Sequence, residues 1–252
     1  MKIRVLLAMP MLLVGLTTAV QGQVMNIEQE RISTDTTGWA GTAQVSFQYF
    51  KNKAEVWNAG GHLHLQYKTK KSLFLALSDY VLSKSAGDDF ANAGIQHLRY
   101  NYKINDWFTA EAFTQAQYNK LLNVDFRWLL GAGPRFKVVK TKPFRMYAAA
   151  LYMYEYEELA DTSLIHRDHR LSSYVSLTLK LRKNLTLLNT TYFQPKFTDF
   201  SDFRLSSQTD MKIAISKHFA FKLSYVYFFD AAPAENVPNE THALQNSLSF
   251  EF

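Results

Sequence analysis

Cysteine is absent from this chain of 252 residues. An exported protein of this composition is therefore held by neither disulfides nor a thiolate metal site, and no lipidated cysteine can tether it. Long hydrophobic runs are missing too: past Gly22 no stretch approaches the ~20 consecutive apolar residues of a membrane-spanning helix. The mean hydropathy of −0.20 is what a soluble protein shows, but a transmembrane barrel gives the same value, because only alternate residues of its strands face lipid. A basic block is also lacking. The formal charge of +6, or +4 after subtracting Lys2 and Arg4, is spread along the chain without a clustered basic face or a binding motif, so nucleic acid is not an expected partner.

What is present begins with a leader. Residues 1–22 join a short basic head, MKIR, to an apolar run and to small residues before a cut, the pattern of a Sec signal peptide. Residues 23–37 then form a short lead, and 38–252 one domain. Aromatic residues are plentiful, with 19 Phe, 14 Tyr and 4 Trp. They recur with period two: in WAGTAQVSFQY, Trp39, Ala43, Val45, Phe47 and Tyr49 share one face, and in WNAGGHLHLQY, Trp57, Leu63, Leu65 and Tyr67 oppose His62, His64 and Gln66. About twelve such segments follow one another, with ten as the lower count. FRMYAAALYMYEYE and LTLLNTTYFQ fit either phase.

Connections differ between the two ends. One end carries TKK, IND, KTK, RKN and SKH; the other carries SKSAGDD, ELADTSLIHRDH, PKFTDFSD and DAAPAENVPNE, with KNKAE and NKLLN as short exceptions. Outer-membrane barrels have short periplasmic turns and longer outer loops. The expected fold is thus an all-β, antiparallel transmembrane β-barrel with a polar lumen, in the bacterial outer membrane, with both termini periplasmic. The chain stops on QNSLSFEF, a half-apolar strand that must close the sheet on its first strand. Its final Phe252 resembles the C-terminal signature read by the barrel assembly machinery. The other expected partners are outer-membrane lipid and lipopolysaccharide.

HLRYNYKINDWF, FTQAQYNKLLNVDFRWLLGAGPRF and YFQPKFTDFSDFRL resemble a bacterial family, domain-of-unknown-function family 481, which includes proteins described as salt-induced outer-membrane proteins. The resemblance runs from about Phe47 to Phe252, and RWLLGAG is its most specific piece. It implies an outer-membrane β-barrel and no established activity.

With rings toward lipid, the opposite face lines the lumen. It holds Arg99, Glu111, Gln115, Asp125, Arg127, Arg204, Asp210 and Lys212, an expected polar network. A turn centred on Asn105 sets Arg99 opposite Glu111, and one centred on Leu121 sets Gln115 opposite Arg127. Basic residues outnumber acidic ones in this set, so an open lumen would favour anions. His62 and His64, and the loop residues His166, Asp168 and His169, are candidate metal ligands, but no third ligand is fixed by spacing, and no metal or cofactor is expected. Gly131 and Gly133 precede no helix pattern and read as places where the wall bends or a bulky side chain packs. A hydrolase would need a nucleophile with a partnered histidine, and none is apparent: His97 lies beside Arg99, Asp79 lacks a partner, and Glu155 and Glu157 suit cations or solvent at the outer rim. The reading is a narrow pore or structural envelope barrel; the alternatives are an outer-rim enzyme acting on lipid or lipopolysaccharide, and a recognition barrel using its outer loops.

Overall fold

The computed structural model describes residues 37–51, 55–85, 88–160, 165–216 and 219–250. The leader and Phe252 lie outside them. Twelve strands follow in order: β1 (Gly38–Lys51), β2 (Glu55–Lys68), β3 (Ser72–Ser85), β4 (Asp88–Lys103), β5 (Phe108–Asn119), β6 (Val124–Lys140), β7 (Phe144–Leu159), β8 (Ile165–Arg182), β9 (Leu185–Pro195), β10 (Phe203–Ala214), β11 (Phe219–Asp230) and β12 (Glu240–Phe250). Each strand pairs antiparallel with the one before it, from β1 through to β12 in a single sheet.

Period-two patterning explains which face is which. Trp39, Val45 and Phe47 of β1 stand 69%, 91% and 66% exposed, whereas His64 and Gln66 of β2 are buried between exposed Leu63, Leu65 and Tyr67. In water so much contiguous exposed apolar surface would drive association. Rings gather at both ends of the outward face. Trp39 meets Tyr67 at 4.8 Å and Trp107 stacks on Phe136 at 5.9 Å near the short turns, while Tyr49 meets Trp57 at 4.3 Å and Trp128 meets Tyr154 at 6.1 Å near the opposite end. Two aromatic belts flanking an apolar band are the signature of a wall that meets two lipid interfaces.

The sheet curls so that its polar face is inside. Tyr174 of β8 donates to Glu111 of β5 at 3.1 Å, and Arg204 of β10 binds Glu155 of β7, in both cases between strands three apart. No flat sheet brings such side chains together, since neighbouring strands already lie ~4.8 Å apart. Local sequence eases the curl at the RWLLGAG segment. A Cβ on Gly131 would lie 2.4 Å from the Phe113 ring, and one on Gly133 would lie 2.4 Å from the carbonyl oxygen of Ala150, so a side chain is excluded at both.

The long-loop end differs from expectation. Of the segment ELADTSLIHRDH, Glu158 and Leu159 belong to β7 and Ile165–His169 to β8. Likewise β3 runs to Ser85 and β4 starts at Asp88, which absorbs most of SKSAGDD. Cross-strand partners prolong the ladder here: Glu155 faces Asp168 and Tyr154 faces His169. Residues 196–202 and 231–239 remain as the long described connections.

Candidate functional site: the interior network

Two polar clusters stand out on the inward face, with an apolar layer between them. The first lies toward the short turns. Glu111 is its centre, accepting from Arg99 Nη1 at 2.6 Å, from Asn101 Nδ2 at 2.6 Å and from the Tyr174 hydroxyl. Arg135 Nε donates to the same tyrosine at 3.0 Å. His97 contacts Gln115 at 2.8 Å and accepts from Arg99 Nε at 3.1 Å, and Gln115 donates to Gln117 at 2.6 Å.

The expected pair of Arg99 and Glu111 forms, but in a different register. Arg99 faces Phe113 and Glu111 faces Asn101, so the ion pair is diagonal. The cause is Asn105, whose side-chain oxygen accepts from the backbone N–H groups of Trp107 and Phe108, at 3.0 and 2.8 Å, and so widens the turn. The next turn shifts in the same way. There Asn119 caps a short 3₁₀ turn at Lys120–Leu122, and Gln115 consequently faces Leu129 while Gln117 faces Arg127.

The second cluster lies toward the long loops and centres on Glu155. This carboxylate is 1% exposed and binds three guanidinium groups: Arg127 with Nε at 3.0 Å, Arg170 with Nε at 2.7 Å, and Arg204. Arg127 also binds Glu157, and Arg204 Nε donates to Asp230 at 2.9 Å. Burying charge is tolerable only when each group is paired and hydrogen-bonded. Between the clusters Phe113, Leu129, Leu151, Met153 and Tyr192 pack as a buried apolar layer.

Other expected lining residues separate. Asp210 is buried and accepts from Gln208 at 3.0 Å, while Lys212 is half-buried opposite Lys222. Asp125 is exposed: a register shift between Val124 and Phe126 inserts an extra residue, which turns Asp125 outward and returns Arg127 inward. The expected basic excess is also corrected. Among the described residues that are buried, Arg99, Arg127, Arg170 and Arg204 are outnumbered by Glu111, Glu155, Glu157, Asp210 and Asp230. Glu155, Glu157, Arg170 and Asp230 were not foreseen as lining. Their signal is the run Tyr152, Tyr154, Tyr156 alternating with Met153, Glu155, Glu157, which settles the phase of β7 once rings are assigned to lipid.

Among the described residues no group of three or more His, Cys, Asp or Glu could hold a metal ion. His62 binds Asp79 at 2.5 Å, directly across the ladder, and His64 is buried. Strand alternation splits the other candidate set, since His169 stacks outward on Tyr152 while Asp168 reaches Lys196 at 3.1 Å.

The connection 196–202 lies over the second cluster. Arg170 joins the two, donating Nε to Glu155 inside and Nη2 to Asp202 at 2.9 Å. Burial alone would raise the Asp202 carboxyl, but the Lys196 hydrogen bond and the Arg170 charge outweigh it and hold the group below the usual carboxylate range. The same pairing, with Asp168 added, outweighs burial at Lys196 and raises its ammonium.

The family model for "Protein of unknown function, DUF481" matches residues 32–252. The chain belongs to this family. No curated protein matches the chain. Among solved structures, this DUF481 chain is similar to the NanC porin, at 11% identity and a TM-score of 0.51, over 85% of this chain and 98% of that one. The KdgM porin gives 10% identity and a TM-score of 0.49 over 85% and 99%, and the translocator domain of the autotransporter NalP from Neisseria meningitidis gives 12% and 0.45 over 86% and 90%. At such identities the likeness to the NanC porin is one of fold. The DUF481 chain is an antiparallel β-barrel of the outer-membrane kind.

Proposed function

We propose that this protein is an outer-membrane barrel sealed by its own side chains, a structural envelope barrel and not an open diffusion pore. One observation carries this: the interior charges are spent on each other across strands three apart, through Glu111 with Tyr174 and Glu155 with Arg204. Barrels of about eight strands fill with side chains, and those of 16 to 18 leave a channel; the twelve-stranded sheet lies between these, and its buried apolar layer favours filling. Single-channel recording of Gln23–Phe252 refolded into planar bilayers tests it, using only material whose gel mobility shifts on boiling. The expected result is no sustained current. Discrete steps that scale with salt would overturn the sealed reading in favour of a pore.

The two aromatic belts support a transmembrane placement, and the connection lengths support an orientation with the turn at residues 141–143 periplasmic and that at 231–239 outside. In this orientation both termini are periplasmic, the outer rim meets lipopolysaccharide, and Phe252 is offered to the barrel assembly machinery. Because the chain has no cysteine, single-cysteine labelling is clean. A membrane-impermeant maleimide is expected to label Glu235→Cys in intact cells and to label Lys142→Cys only after the outer membrane is permeabilised. The reverse pattern would invert the topology.

A further inference from the structure

The short-turn end holds a cavity that the sealed interior does not use. Its volume is about 260 Å³, and Lys68, Lys70, Lys71, Lys103, Arg135 and Lys137 line it. Among the described residues the one acidic lining residue is Asp106. Its side chain is 93% exposed and already receives Lys103 at 2.5 Å, while its backbone oxygen receives Lys137 Nζ at 2.5 Å. Among the described residues five lysines and Arg135, which also lies 3.8 Å from Glu111, face one committed carboxylate, so the cavity carries a positive excess. The Asp106 carboxyl lies below its ordinary range, held there first by the Lys103 hydrogen bond and charge and then by Lys137 and Lys140, a sign of the local field.

The cavity also has a floor. Arg135 stacks on Tyr147 at 3.8 Å and donates to Tyr174, and Asn101 donates to Glu111, so the inner end is closed by the first polar cluster. The polar atoms of Thr69, Ser72, Asn105 and Thr109 complete the lining. Charge of one sign concentrated in a concave, low-dielectric mouth focuses the field on counter-ions. Five lysines to one arginine suit a compact, multiply charged anion, because ammonium groups act as point charges that can surround phosphate from several directions.

We infer that the short-turn mouth of the barrel is a binding site for a small anion carrying two or more phosphate groups. The volume admits an occupant the size of pyrophosphate. The same chemistry is offered by a soluble oligophosphate and by the phosphates of an anionic lipid headgroup bent over the rim. The site is independent of whether the lumen conducts.

Calorimetric titration of pyrophosphate into protein held in phosphatidylcholine nanodiscs at low salt tests the inference. One site is expected, weakening as salt rises. Lys71→Gln combined with Lys137→Gln should weaken it by roughly tenfold or more, in line with losing charge-assisted hydrogen bonds. Arginine at both positions should restore binding, and Lys84→Gln at the far end should leave it unchanged. The boiling-dependent gel shift certifies folding; should the double variant fail that check, Lys70→Gln in the exposed turn carries the same expectation at smaller size. Exchanging phosphatidylcholine for phosphatidylglycerol separates the sources. Competition by the anionic lipid supports the site and assigns it to a headgroup, and unchanged affinity supports the site and assigns it to a soluble anion. Absence of pyrophosphate binding, or binding indifferent to these lysines, would overturn it.

Discussion

Glu155→Gln is expected to destabilise the folded barrel by about 3–5 kcal/mol, the usual cost of removing one partner from a buried ion pair. The carboxylate offers two oxygens to Arg127, Arg170 and Arg204, and all three guanidinium groups are buried with it. Glutamine keeps the shape and one acceptor, yet leaves three like charges in a low-dielectric interior with their shared counter-charge gone. The repulsion was always present, and Glu155 screened it. Urea unfolding in detergent, followed by tryptophan fluorescence and gel shift, measures the loss. Glu158→Gln, a more exposed change whose carboxylate accepts from the Tyr156 hydroxyl, should stay within about 0.5 kcal/mol. A loss below about 1 kcal/mol for Glu155→Gln would mean that water reaches this cluster and the barrel is open there.

A double-mutant cycle on Arg99 and Glu111 is expected to give a coupling of about 1.5–3 kcal/mol, the range for hydrogen bonds to charged groups. The bond is 2.6 Å long and its two side chains are 4% and 0% exposed. Exposed pairs contribute only about 0–1 kcal/mol and fade with salt. Here the coupling should persist between about 0.1 and 1 M salt, because ions cannot enter to screen it. Coupling that collapses in salt would place water around Glu111. Glu111→Ala alone should cost more than Arg99→Ala, since it also strips the acceptor from Asn101 and Tyr174.

How much of this was legible beforehand varied by strand. β1 and β2 declare their faces, because over residues 42–49 and 62–68 each aromatic or aliphatic residue alternates with a polar one. β7 does not. Its start, FRMYAAALYMY, is apolar on both faces apart from Arg145, so Glu155 and Glu157 could be read as outer-rim acids; their partners on β6, β8 and β10 hold them inward, in the phase that the Tyr152, Tyr154 and Tyr156 run marks. The Arg99 and Glu111 pair was legible as two inward charges near one turn, whereas its diagonal register depended on how Asn105 folds over the backbone. Asp125 was misread for a related reason: alternation carries no mark of a bulge, and one extra residue reverses the face.

Composition and periodicity alone pointed to the class of fold, to about twelve strands with ten as the lower count, and to the outward face of strands such as β1 and β2, since each depends on the nearest neighbours in the chain and on a period of two that needs no partner. Register, the interior ion pairs and the charge of the mouth came only with the tertiary structure. Lys68, Lys103 and Lys137 look dispersed over some seventy positions, so the chain shows no basic cluster. Reversal of direction at every hairpin gathers them at one end, because β2, β4 and β6 all run toward the short turns and each lysine lies near the finish of its strand.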